Sequence, residues 1–168
     1  VVLERENREL SGDKAASDAA SSVYVDPSQI EVAQFAPPPE LAPYVTQFYF
    51  FRCDEAVIRD AQPAALGHLA FFLKGTGTLR FPAGNIDAFS PASVFGPGMG
   101  HAEFDIVGPF QDFGLAFSPL GFVALTGKPA KEYAGRLVDA AEIFGPEITA
   151  LAKTFRGGRD LGELTMLD

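Results

Sequence analysis

Residues 111–127 read QDFGLAFSPLGFVALTG, and the spacing of their apolar side chains changes at Ser118. Before Ser118 the apolar residues alternate, which predicts a strand at Gln111–Phe117. Ser118 followed by Pro119 indicates a helix start, because serine caps the first turn and proline fits the first helical position. Gly127 is placed to end that helix. The sequence therefore predicts strands before Ser118 and helices after it.

Short apolar segments separated by turn residues extend from Ile30 to Phe117. Strands at this spacing, without long helices between them, are typical of an antiparallel sandwich or barrel. The glycines of Lys74–Thr78 predict a tight hairpin between two of the strands. The predicted strands are Gln29–Ala36, Thr46–Arg52, Val57–Ala61, His68–Lys74, Thr78–Phe81, Ala92–Phe95, Ala102–Val107 and Gln111–Phe117.

Two further helices are predicted near the end of the chain. Pro146 opens the first, and Gly157-Gly158 stops it before a second begins. Their apolar residues recur at helical spacing, so each helix has one apolar face. These faces either form a symmetric dimer interface or fold back onto the chain's own barrel. The predicted dimerisation residues are Ile148, Leu151, Phe155, Leu161 and Leu164.

Composition excludes several classes of protein. The 168 residues carry 22 acidic and 13 basic side chains, and the net charge of −9 opposes nucleic-acid binding by this chain alone. No apolar run approaches the length of a membrane span, and a single cysteine fits a reducing cytoplasm. The first 27 residues have almost nothing to bury, so we predict a flexible tail without a signal peptide.

Motifs for catalysis or metal binding are missing from the sequence. His68 and His101 are far apart and form no His-x-His pair, so we predict no metal. Cys53 is followed by two acidic residues that oppose a reactive thiolate. Ser118 is better explained as a helix cap than as a nucleophile. We predict no cofactor, no catalytic residue and no enzyme activity.

Four motifs occur in an order that resembles a known family. They are PPELAPYVTQFYF at residues 38–50, the turn FGP at residues 95–97, FSPLGFVALTGKP at residues 117–129 and RLVDAAEIFG at residues 136–145. In this order they are similar to the N-terminal regulatory domain of AraC-type bacterial transcription activators. The resemblance covers roughly Pro37 to Phe155.

The resemblance implies a cupin-like barrel at residues 28–118 and a helical linker and dimerisation segment at residues 119–168. It further implies a DNA-binding domain with two helix-turn-helix units after Asp168. The chain would then be a cytoplasmic sensor whose small-molecule effector shifts a conformational equilibrium. Ala64 stands where relatives often carry an acidic residue, so the resemblance does not identify the effector of this chain. Two alternatives remain: a cupin-like enzyme of unknown reaction, and a ligand-free structural or partner-binding module.

An effector pocket is predicted from the alternation of side chains along the strands. Phe71 shares a face with Leu69 and Leu73, whereas Lys74 shares the opposite face and is expected to seek water. We therefore predict that Phe71 points into the barrel. Such an aromatic pocket favours a flat or apolar molecule over a sugar. The predicted ligand-binding residues are Phe48, Phe50, Phe71, Leu79, Phe81 and Phe104, with Arg80 and His101 at the mouth.

Overall fold

The computed structural model describes residues 27–98 and 100–157, which form eight strands and four α-helices. The strands are β1 Ile30–Phe35, β2 Val45–Cys53, β3 Val57–Gln62, β4 His68–Arg80, β5 Ile86–Ala88, β6 Ala92–Phe95, β7 Ala102–Phe117 and β8 Leu137–Asp139. The helices are α1 Pro119–Thr126, α2 Ala130–Tyr133, α3 Ala141–Phe144 and α4 Glu147–Gly157, and a single 3-10 turn, Pro27–Gln29, precedes β1. The predicted mainly β fold with short C-terminal helices is confirmed.

All paired strands among the described residues run antiparallel, and the long strands β4 and β7 form the centre of the sheet. Residues 110–117 of β7 pair with β2 and with the first half of β4, in the order β1-β2-β7-β4-β6-β8. Residues 102–107 of β7 pair with β3 and with the second half of β4, and β5 lies beyond. Each long strand therefore belongs to two parts of one sheet.

The two parts of the sheet face each other across one buried cluster, which we call the inner core. It includes Phe72 from the first half of β4, Leu79 from the second half and Ile58 from β3. Phe72 stacks on Phe89 with ring centroids 4.3 Å apart and also contacts Phe110 at 5.7 Å. The sheet thus folds onto itself as two layers with an aromatic interior.

The predicted hairpin at Lys74–Thr78 is wrong, because β4 continues through this segment with register shifts on both sides of Lys74. Gly75 has φ 79°, and a Cβ there would lie 2.9 Å from the Val107 carbonyl oxygen. Glycine at this point forms a bulge that bends the strand between the two layers. Likewise, the two strands predicted at Ala102–Val107 and Gln111–Phe117 are halves of β7.

A second buried cluster, the outer core, lies between the sheet and the helices. It joins Phe71 of β4 and Phe117 of β7 to Phe122 of α1 and Ala152 of α4. The rings of Phe71 and Phe155 meet edge to face at 5.0 Å, which docks α4 on β4. Both faces of the first half of β4 are therefore buried, one in each core.

The predicted start and end of α1 are confirmed. The Ser118 hydroxyl accepts a hydrogen bond from the Gly121 amide at 2.9 Å, and Gly127 ends the helix with φ 66°. The second predicted helix is also present as α4, where the Pro146 carbonyl accepts from the Thr149 amide at 3.1 Å. Local signals were sufficient for both helices: the two caps for α1, and proline with helical apolar spacing for α4.

The prediction of a dimer interface on α4 needs correction. Ile148 and Phe155 pack on the chain's own outer core, whereas Leu151 remains 43% exposed. Helical spacing identifies an apolar face but not what covers it. Leu161 and Leu164 lie outside the described residues, as does the predicted tail up to residue 26.

Candidate functional site

Three titratable side chains meet on the inner face of the sheet: Tyr49 of β2, His68 of β4 and Asp112 of β7. Tyr49 pairs with Gly114 in the ladder, two residues along β7 from Asp112. Its phenol is close enough to the Asp112 carboxyl for each group to change the pKa of the other, and its ring meets the His68 ring edge to face at 6.0 Å. We call these three residues the polar trio.

The absence of a side chain at Gly114 makes room for the Tyr49 phenol. A Cβ at this position would lie 2.5 Å from the Tyr49 Oη and 2.4 Å from the Leu69 carbonyl oxygen. Any larger residue would therefore push the phenol away from Asp112 or distort the strand. Gly114 is a positioning element of the polar trio.

Burial changes the protonation of the polar trio. It raises the pKa of Asp112 to about 7, although the hydrogen bond from Tyr49 opposes this rise. Burial, together with the charge of Asp112, raises the pKa of Tyr49 well above its usual value. Burial lowers the pKa of His68 to about 4, against the effect of a hydrogen bond to the Leu66 backbone. At neutral pH, His68 and Tyr49 are uncharged and Asp112 is close to half protonated.

A cleft opens beside His68 at one end of the two layers. Leu79, Phe81, Phe95 and Ala102 form part of its wall. The enclosed space of the cleft is about 20 Å³, enough for one water molecule, and the region that includes its open mouth and solvent spans about 280 Å³. The Gly98 amide donates to the Ala65 carbonyl at 2.9 Å, which joins the two loops that border the mouth.

The structure divides the predicted pocket residues between two faces. Leu79 and Phe81 line the cleft, and Phe104 packs against the inner core. Phe71 lies in the outer core instead of the barrel interior, and Phe48 stacks on Phe113 of the same core at 6.2 Å. Phe50 lies two residues after Phe48, so it shares the same face of β2, and it is buried there as well.

The predicted polar residues at the mouth are not brought to the cleft. Arg80 is exposed with its Nε 4.0 Å from a Glu103 carboxylate oxygen, and His101 is exposed beside the cleft without lining it. The alternation argument failed at Lys74, which lies at the β4 bulge. Because the bulge shifts the alternation by one residue, the exposure of Lys74 says nothing about which face of His68–Phe72 is inside.

Sequence reasoning missed the polar trio. Tyr49 stands in the aromatic run FYFF, and Asp112 alternates with Phe113 and Leu115, which is typical of a residue facing water. The usable signal was the run itself, because adjacent aromatic residues require that both faces of a strand be buried. A carboxylate on the strand paired with it, such as Asp112 opposite Phe51, is then buried too.

A second concave region lies at the Lys74 bulge, with a volume of about 200 Å³. It is bordered by Arg52 and Asp54, whose side chains form an ion pair at 2.8 Å. Exposed pairs of this kind bring little stability. We take the cleft beside His68 as the candidate site because His68 belongs to the polar trio.

Within residues 27–98 and 100–157, no group of three histidine, cysteine or acidic side chains is placed to hold a metal ion. Cys53 is buried in the inner core, and burial raises the pKa of its thiol. A thiol kept protonated in an apolar surrounding is a packing residue. In the same part of the chain, no helix is long and apolar enough to cross a membrane.

Strand β4 connects the interior to helix α4. Phe72 points into the inner core, while its carbonyl oxygen accepts a hydrogen bond of 2.6 Å from the Arg156 Nε. The neighbouring Phe71 contacts Phe155 on the other face. Two consecutive residues of β4 thus touch the interior and the C-terminal helix.

Comparison with known proteins gives one match. A family model described as a domain of unknown function, DUF6597, matches residues 33–139. The chain belongs to this family. The matched region begins in β1 and ends with β8, so it contains both layers, the cleft and the polar trio, whereas α3 and α4 follow it. No curated protein and no solved structure matches the chain.

Proposed function

We propose that this chain is the small-molecule sensing and dimerisation domain of a cytoplasmic AraC-type transcription regulator. Its four sequence motifs resemble that family, and a mainly β domain followed by short helices is the fold that the resemblance implies. DNA contact is assigned to a separate helix-turn-helix domain, because a net charge of −9 opposes the phosphate backbone.

The observation that carries the proposal is the position of β4 between the cleft and α4. His68 lines the cleft, Phe72 fills the inner core, and the Phe72 carbonyl holds Arg156 of α4. A molecule in the cleft contacts the start of β4 directly. A shift of this strand changes the docking of the helix that leads toward the chain's C-terminal end.

The mechanism is a population shift. Two arrangements of β4 and α4 differ in free energy by a few kcal/mol, and the effector binds one of them more tightly. The orientation of α4 then follows effector occupancy. In the regulator, this orientation determines how the two DNA-binding domains of a dimer are presented.

Dimerisation rests on fewer residues than the sequence indicated. Ile148 and Phe155 already contact the outer core, so the exposed Leu151 is the described residue of α4 left for a second copy. An isologous contact through this face places the two α4 helices beside each other on the symmetry axis.

The coding sequence that follows Asp168 tests the proposal directly. We expect it to encode two helix-turn-helix units with basic recognition helices. A stop codon at that point, or a downstream domain of another class, would contradict the assignment. If the helix-turn-helix units are present, the purified full-length protein should also retard its own promoter fragment, and the effector should change the affinity for this DNA.

A further inference from the structure

We propose that the cleft beside His68 binds a small, neutral, apolar molecule with one hydrogen-bond donor, and that this donor bonds to the His68 imidazole. The inference rests on the proposed sensing function and names the chemical class of its effector. Three features support it: the fixed orientation of the His68 ring, the chemistry of the cleft walls and the size of the cleft.

The orientation of His68 is fixed by its neighbours. Its ring stacks on Phe95 with centroids 3.9 Å apart and an interplanar angle of 16°, and the Tyr49 ring abuts its edge. In the neutral form that burial favours, the imidazole has one N–H and one acceptor nitrogen. The partly buried ring lines the cleft, so the acceptor nitrogen is the group to which the donor of the molecule bonds.

The walls exclude other ligand classes. Among the described lining residues there is no charged side chain, and Gln62 is the other polar one. A carboxylate or phosphate would find no counter-charge and would face the lone pair of the imidazole. A sugar would bury hydroxyls that these walls leave unpaired.

The size of the cleft sets the size of the molecule. The enclosed space of the cleft takes one group of the volume of a water molecule, so a hydroxyl or a ring N–H fits there. The surrounding space, about 280 Å³ in total, includes the open solvent of the mouth, so the body of the molecule, one or two fused rings, lies at the mouth of the cleft.

Indole is a suitable probe because the chain contains no tryptophan. Its fluorescence emission should shift to shorter wavelength when it leaves water for the cleft, without a tryptophan background from the protein. 1-Methylindole has a similar shape but no N–H, and indole-3-carboxylate adds a negative charge. We expect indole to bind about tenfold more tightly than 1-methylindole, and the carboxylate to bind more weakly than both.

Two variants test whether His68 causes the preference for indole over 1-methylindole. His68→Phe keeps an aromatic ring on Phe95 but removes the acceptor, so indole and 1-methylindole should bind it equally. His68→Gln retains an acceptor and should keep part of the preference. His101→Phe is the matched control, because this exposed histidine does not line the cleft. Circular dichroism verifies that each variant is folded.

The inference is overturned if indole does not bind up to its solubility limit, if 1-methylindole binds the wild-type protein as tightly as indole, or if His68→Phe retains the preference. These results are distinct from a failure of the proposed function. A downstream DNA-binding domain without indole binding would remove the ligand class alone. Indole binding without such a domain would keep the site and remove the regulator.

Discussion

At the scale of single residues, burial acts in opposite directions on the two acid-base groups beside Tyr49. It raises the pKa of Asp112 to about 7 and lowers that of His68 to about 4, because the uncharged form is favoured in both cases. Between pH 4 and 6.5 the folded protein holds a proton on Asp112 that the unfolded chain releases, and lacks a proton on His68 that the unfolded chain binds. The two contributions to stability therefore oppose each other in this window.

Replacement of Asp112 by asparagine should expose one of these contributions. Ionisation of Asp112 costs the wild-type protein stability as pH rises from about 4 to about 7, and asparagine keeps a partner for the Tyr49 phenol without titrating. Over this window the free energy of unfolding of the variant should rise relative to wild type by up to about 4 kcal/mol. Urea unfolding at a series of pH values measures this difference. Asp105→Asn, an exposed carboxylate on the same strand, is the control.

A constant difference between Asp112→Asn and wild type across these pH values would show that Asp112 is ionised in the folded protein throughout. The polar trio would then contain a buried charge across the whole range, and the raised pKa of Asp112 would be wrong.

The variant His68→Phe should show the opposite trend. The wild-type protein gains stability as pH rises from about 4 to 6.5, because the unfolded chain then loses the proton that folded His68 does not bind. Removing this group should make the stability of the variant fall relative to wild type by up to about 3 kcal/mol over the window. The same urea series measures it, and a rise in place of the fall would refute the low pKa of His68.

At the scale of secondary-structure elements, the sequence predicted what local signals determine. Ser118 and Gly127 define α1 through contacts within a few residues, and alternation located β1, β2, β3 and β6 to within one or two residues. The face of β4 that points inward was not predictable in this way. It depends on the bulge at Gly75 and on α4, whose Phe155 covers Phe71 from far along the chain. Strands β5 and β8 are three residues each, too short to show a period.

The contact between α4 and β4 gives a prediction at this scale. Arg156→Met keeps the length of the side chain but removes the donor to the Phe72 carbonyl oxygen. The variant should lose about 1 kcal/mol of stability, and amide hydrogen exchange should accelerate in α4 more than in the sheet. Lys153→Met is the control on an exposed position of the same helix. Equal acceleration in both variants would mean that the Arg156 bond does not hold the helix.

At the scale of the whole molecule, the sheet provides a continuous link between two surfaces. One layer faces the inner core and the cleft on one side and the outer core with its helices on the other. A packed interior of this kind transmits displacement and does not absorb it, because it has few empty spaces. The match to the family of unknown function covers the layers and the cleft and ends before α4.

The proposed dimer leads to a prediction about Leu151. Leu151→Glu places a charge on the exposed face of α4 and should weaken self-association of the chain at least about tenfold in sedimentation experiments. Leu120→Glu is the matched control, because Leu120 is also exposed but lies on α1. A strictly monomeric wild-type chain at high micromolar concentration, or equal effects of the two variants, would remove Leu151 from the interface.

The central claim is that occupancy of the cleft changes the docking of α4, and hydrogen exchange with and without saturating indole tests it most directly. The account predicts altered amide exchange at two separate places, the start of β4 at His68–Phe72 and helix α4 at Glu147–Gly157, with little change in β1. In Arg156→Met the change at the cleft should persist while the change in α4 diminishes. A change confined to the cleft in the wild-type protein, with α4 exchanging at the same rate in both states, would contradict the claim.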